Sequence, residues 1–248
     1  MGPIGVVLVH GTRASRTMWL RQLEALAQAR VPAVAPDLPG HGRRAGEPFT
    51  LDGAVAAVEE AAASLAGDVV VAGLSLGGYL ALHWAARTER PVAAVVAAGC
   101  TTRPRGPGLA AYRRLAALIG RAPGGGRRLN DTLVRLMLPD RARRDLHAGG
   151  MELGVMDAVL AAVADLDPLA DLRALAGVPV HLVNGRWDHF RLEERRFLAT
   201  RPDARLHVVP RAHHLVSLVR PEEFNRILLD VVADVSPRSV RSRDPGSG

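Results

Sequence analysis

Val69-Val70-Val71-Ala72-Gly73-Leu74-Ser75-Leu76-Gly77-Gly78-Tyr79 passes from a β-branched run to a helical one across a single serine. Val69–Ala72 predicts a strand, and Leu76–Arg87 predicts a helix that starts without a linker. A turn this tight leaves almost no room for neighbouring side chains. Gly73 and Gly77 supply that room, and Gly78 lets the helix approach the sheet. The serine is then held at the carboxyl edge of a sheet in a strained backbone conformation. It also sits at a helix N-terminus, whose free N–H groups favour negative charge. Gly-x-Ser-x-Gly arises by chance in a chain with 25 glycines, but here the strand before it and the helix after it both suit a reactive serine.

Outward from this turn, strand signals recur at Ile4–Val9, Ala33–Ala35, Val92–Ala98, Pro179–Val183 and Leu206–Val209. Helical patterns separate them. Ser15 or Thr17 is placed to cap the first, Thr50 the alanine-rich second, and later ones fall at Leu192–Leu198 and from Pro221 to Val232. Strands alternating with helices predict an α/β fold, a mostly parallel sheet with helices on both faces. The alternation lapses from Thr101 to about Ala176, where Leu109–Ile119, Leu129–Leu138 and Met151–Ala164 read as helices among Pro-Gly and Gly-Gly-Gly turns. Residues 1–100 and 177–235 are therefore expected to form the core, and 101–176 a helical lid inserted over the carboxyl edge, where ligands bind. Residues 236–248, rich in Ser, Arg, Pro and Gly, read as a disordered tail.

The 248 residues suit one large domain, and 48% hydrophobic residues can bury a sizeable core. No apolar run reaches the roughly 18–20 residues that span a bilayer. The N-terminus lacks the basic region of a signal peptide, and one cysteine excludes an internal disulfide framework, so a soluble cytoplasmic protein is expected. The net charge is +7, yet the chain has no lysine and all 32 basic residues are arginine. With aromatic residues at 4% and no recognition motif, this reads as compositional drift, and no nucleic-acid partner is expected. Oligomeric state is left open.

Taken with His10-Gly11, Asp37-Leu38-Pro39-Gly40-His41-Gly42, Asn184-Gly185-Arg186-Trp187-Asp188 and His213-His214, the Gly73–Gly78 stretch makes the chain resemble the α/β-hydrolases, in their lidded, single-domain serine esterase form. The resemblance spans nearly the whole chain, though the antiparallel hairpin that usually opens the fold is missing. It implies a catalytic triad in the chain order serine, acid, histidine. Ser75 would be the nucleophile. Asp188, after the Pro179–Val183 strand, stands where the family carries its acid, while Asp165 and Asp167 read as turn residues closing the lid. The base is His213 or His214. The related pattern places the histidine seven residues before the proline that opens the last helix, and counting back from Pro221 selects His214. The backbone N–H groups of Leu76 and Thr12 would form the oxyanion hole. His10 and His41 read as structural hydrogen bonders, and Cys100 as a buried small hydrophobe.

No His/Cys cluster has metal spacing, and Gly124-Gly125-Gly126 lacks the residues of a phosphate loop and reads as a lid hinge, so no cofactor or metal is expected. The expected reaction is hydrolysis of a small-molecule carboxylic ester, lactone or thioester through an acyl-enzyme. Carbon–carbon bond hydrolysis and cofactor-free perhydrolysis use the same triad, and a non-catalytic ligand-binding protein could reuse the fold. From Thr101 to Gly150 there are eleven arginines against three acids. Some of Arg113, Arg114, Arg127, Arg128, Arg143 and Arg144 are placed to ring the entrance and steer an anionic substrate or a carrier-linked acyl group, the alternative being a solvated face.

Overall fold

The computed structural model describes residues 2–106 and 126–236, with positions 110, 113, 114, 118 and 121 between them. One six-stranded sheet organises them: β1 (Ile4–Val9), β2 (Ala33–Val34), β3 (Asp68–Leu74), β4 (Val92–Ala98), β5 (Val180–Gly185) and β6 (Arg205–Val209). Its spatial order is β2-β1-β3-β4-β5-β6, and every pairing is parallel. β2 forms one edge, and the antiparallel hairpin of related folds has no counterpart among the described residues.

The strands are apolar on both faces because each feeds two cores. Val7, Val9, Val69, Val71, Val95 and Leu182 point to one side, with Ala57, Leu80, Trp84 and Phe197. Val6, Leu8, Val70, Ala72, Val96 and Val183 point to the other, with Trp19, Leu26, Phe224 and Leu228. The two-residue period of a strand delivers alternate side chains to opposite faces, so each continuous apolar run is shared between two layers of helices.

α1 (Leu20–Gln28) and α10 (Pro221–Val235) cover one face, and α2 (Leu51–Ala63) and α3 (Leu76–Ala85) the other. Ser15 caps a short 3-10 turn, Arg16–Trp19, that leads into α1, and Thr50 caps α2 by accepting from the Gly53 N–H at 3.1 Å. Between β4 and β5 lie α4 (Arg127–Met137), α5 (Asp140–Ala148), α6 (Met156–Ala164) and α7 (Pro168–Ala174). The helix expected from Met151 starts at Met156, after two loop glycines, Gly150 at φ 84° and Gly154. Asp167 is a turn residue as expected, its carboxylate accepting from the Leu169 and Ala170 N–H groups at the start of α7. The expected helix at Leu109–Ile119 lies outside the described residues except for positions 110, 113, 114 and 118, as do Gly124, Gly125 and the tail beyond residue 236. α8 (Glu194–Thr200) and the short α9 (Val216–Val219) complete the chain. Among the described residues no helix is long and apolar enough to cross a membrane.

Candidate active site

Ser75 has φ 59° and ψ −118°, a left-handed conformation that costs a non-glycine residue about 1–3 kcal/mol. The surroundings enforce it. The Ser75 N–H donates to the Ala98 carbonyl at 2.8 Å, and the Ser75 carbonyl accepts from Gly78 and Tyr79 in the first turn of α3. A Cβ at Gly73 would stand 2.0 Å from the Gly77 carbonyl oxygen, and one at Gly77 would stand 2.0 Å from that of Val9. Only glycine lets β1, β3 and α3 close around the serine at these distances.

The exits of β5 and β6 bring the other two groups together. The loop after β5 is pinned by Arg186 N–H to the Val209 carbonyl and Trp187 N–H to the Ala212 carbonyl, at 2.9 and 3.0 Å. Asp188, 6% exposed, then meets His214, whose Nδ1 lies 3.1 and 3.2 Å from the two carboxylate oxygens. Burial opposes ionisation of Asp188. The hydrogen bond and charge of His214, with the Phe190 N–H at 2.8 Å and nearby His189, outweigh it and hold the carboxyl below its usual range. An ionised carboxylate only accepts, so Nδ1 of His214 is the nitrogen that donates to Asp188, and in the neutral imidazole the lone pair is then on Nε2. Gly99, at the tip of β4 with φ 60°, lies so close that a Cβ there would stand 3.0 Å from the imidazole.

His213 is employed elsewhere. Its Nδ1 accepts from the Leu215 N–H at 3.3 Å, which leaves Nε2 to donate to the Met137 carbonyl at 3.1 Å, at the end of α4. His10 is structural: Leu38 N–H donates to its Nε2 at 3.0 Å and its Nδ1 donates to the Gly11 carbonyl at 2.9 Å, tying the first loop to the Asp37–Gly42 loop. Burial, and then the neighbouring His41, push its pKa down to about 3. The unfolded histidine takes up a proton below about 6.5 and the folded one only near 3, so stability is lost as pH falls between those values, by about 3 kcal/mol at pH 4. His10→Gln is expected to remove much of this slope, measured as urea unfolding free energy at pH 7 and pH 4. Cys100 is fully buried with its thiol pKa pushed up by burial and by the Asp188 charge, as suits a small hydrophobe.

Ser75, His214, Thr12 and Leu76 line one cavity of about 560 Å³. Among the described residues neither the Thr12 nor the Leu76 amide donates a backbone hydrogen bond, and Ser75 Oγ and His214 form none with each other. The far wall comes from α4–α6 and the loop before α6, including Leu133, Val134, Leu146 and Val159. Met18, Met137, Met151 and Met156, four of the five methionines, also face it. Leu133, Met137 and Leu192 line the cavity and are yet 46%, 44% and 81% exposed, so the mouth opens beside them. None of the six arginines expected at the entrance is among the described lining residues. The wall instead holds Arg13, Arg103 and Arg105, which sequence reasoning had not singled out. A second cavity, about 550 Å³ at the β6 edge against α10, contains no expected site residue. No group of three or more metal-ligating side chains occurs among the described residues.

A model described as the alpha/beta hydrolase family matches residues 6–227. The chain belongs to that family. This α/β-hydrolase is 32% identical to a pimeloyl-[acyl-carrier protein] methyl ester esterase of Aromatoleum aromaticum, over 92% of its own length and 97% of that protein. It is 39% identical to lipase LipV of Mycobacterium tuberculosis over a shorter stretch, 38% of this chain and 36% of that lipase. Among solved structures, a thermophilic esterase from Thermogutta terrifontis superposes with a TM-score of 0.73 at 25% identity, covering 96% of this hydrolase and 92% of that chain.

Proposed function

We propose that this hydrolase cleaves a carboxylic ester of a small molecule through an acyl-enzyme on Ser75, with His214 as base and Asp188 as orienting acid. The observation that carries the reading is the meeting, in one cavity, of a serine forced to φ 59° with an imidazole whose Nδ1–H is held by a buried carboxylate. His214 Nε2 takes the hydroxyl proton as Oγ attacks the ester carbonyl, and the Leu76 and Thr12 N–H groups receive the developing oxyanion. Collapse of the tetrahedral intermediate breaks the ester C–O bond, and the imidazolium returns its proton to the departing alcohol. Water, deprotonated by the same imidazole, then releases the acid and frees Ser75. The Ser75–His214 hydrogen bond is one that forms as substrate fills the cavity.

In this reading α4–α6 act as the lid, and their Leu, Val and Met side chains suit an acyl chain. The resemblance to an enzyme that demethylates a carrier-linked acyl chain makes methyl esters the first substrates to try. The reading is tested with a fluorophosphonate probe followed by peptide mapping. The label is expected on Ser75, and label on another residue, or none, overturns the assignment.

A further inference from the structure

The cavity has three arginines in its wall, and two are already neutralised. Arg103 pairs with Glu193 at 2.8 Å, and Arg105 pairs with Asp167 at 3.0 Å. Arg13 has no carboxylate within ion-pair distance among the described residues, and the acidic side chain of the undescribed positions, Asp244, lies in the tail. Its one side-chain hydrogen bond among the described residues is a long one, from a guanidinium N–H to Asn130 Oδ1 at 3.3 Å. Asn130 is itself 8% exposed, and its Nδ2 reaches only the Met151 sulfur, at 3.6 Å. A half-buried arginine, with one guanidinium hydrogen bond among the described residues out of five possible donors, thus stands in a wall of Leu, Val and Met.

Its backbone is also held on purpose. Arg13 has φ 67°, and its carbonyl accepts from the Glu152 N–H at 3.1 Å, which fastens it to the loop between α5 and α6. Of the four non-glycine residues with positive φ among the described residues, Arg13 and Ser75 line the cavity, whereas Arg30 and Arg211 do not. Arg13 follows Thr12 directly, so the guanidinium is carried by the same short loop as one proposed oxyanion donor.

We infer that Arg13 is a specificity-determining residue that binds an oxyanion carried by the ester substrate. The inference rests on the ester-hydrolase reading above and adds the substrate's charge to it. The planar fork of arginine matches a carboxylate or a phosphate with two parallel hydrogen bonds, and an unpaired cation in an apolar wall gains most from such a partner. The anion comes either from a second carboxylate on the acyl part or from a phosphate on the alcohol part. Asn130 acts as a positioning residue that holds the guanidinium without neutralising it.

The test uses two matched ester pairs. Monomethyl glutarate against dimethyl glutarate places the charge on the acyl side, and 2-(butanoyloxy)ethyl phosphate against 2-hydroxyethyl butanoate places it on the alcohol side. In the native enzyme at low salt, kcat/KM should favour the charged member of one pair by about tenfold or more, mainly through KM, and that pair identifies the side. Arg13→Gln should bring the ratio near one. Asn130→Asp, nearly the same shape as the native residue, supplies Arg13 with an internal carboxylate and should lower the ratio too. A native enzyme without preference in either pair, or a ratio that survives Arg13→Gln, overturns the inference. Calorimetry on Ser75→Ala protein reads the same contact without turnover: a charged ester should bind about tenfold more weakly once Arg13→Gln is added. Equal affinity would sink the inference whether or not Ser75 is the nucleophile, and absent turnover with intact binding would sink only the acyl-enzyme reading.

Discussion

Ser75→Ala is expected to lower ester turnover by roughly 10⁴- to 10⁶-fold while leaving the unfolding transition nearly where it was. On the proposed acyl-enzyme reading the loss is large because the variant lacks the hydroxyl that would carry the acyl group. The residual rate would reflect substrate binding and the proposed oxyanion donors, the Leu76 and Thr12 amides. The fold should tolerate the change, since Oγ makes no hydrogen bond among the described residues and alanine keeps the Cβ that the turn already accommodates. Progress curves for a methyl ester and thermal unfolding of both proteins check the two halves. A variant that retains its activity, or still labels with fluorophosphonate to the native extent, removes Ser75 from the mechanism.

His214→Ala should be almost as damaging as Ser75→Ala, because nucleophile and base act as a unit and losing either stops proton transfer. The adjacent histidine separates a catalytic role from a structural one. His213 spends both ring nitrogens on the backbone of Leu215 and Met137. His213→Ala should therefore loosen the contact with the end of α4 and cost less in kcat by at least tenfold, about 1.4 kcal/mol of barrier. Steady-state kinetics of the two variants under matched conditions decide it, and the reverse order of severity would make His213 the base.

The sheet was legible because its strands are buried on both faces. Ile4–Val9 and Val92–Ala98 are nearly unbroken apolar runs, and the strands occupy those same residues. The tight turn around Ser75 was legible because Gly73 and Gly77 answer to backbone atoms at 2.0 Å, a constraint no other residue type meets. The region between β4 and β5 was harder. α5 buries only Ala142 and Leu146 among nine residues, so Asp-Arg-Ala-Arg-Arg-Asp-Leu-His-Ala offers too few apolar positions to stand out and was not expected as a helix. The arginines of the cavity wall were only partly legible. Counting them by segment favoured positions between Thr101 and Gly150, and Arg103 and Arg105 of that segment do line the cavity, but Arg13 reaches it from the opposite end of the sequence through a loop after β1. Its one local hint is the position directly after His10-Gly11-Thr12.

The four methionines in the cavity wall bear on which chemistry the proposed triad could sustain. A peracid made at Ser75 by perhydrolysis would be released among Met18, Met137, Met151 and Met156, and thioethers are readily oxidised to sulfoxides. Each such transfer would turn a pliant apolar wall into a polar one and spoil the chamber for the next acyl group. Water as the second substrate leaves only an acid and an alcohol, to which sulfur is inert. The chamber is built of material that hydrolysis leaves intact and that its own peracid would corrode.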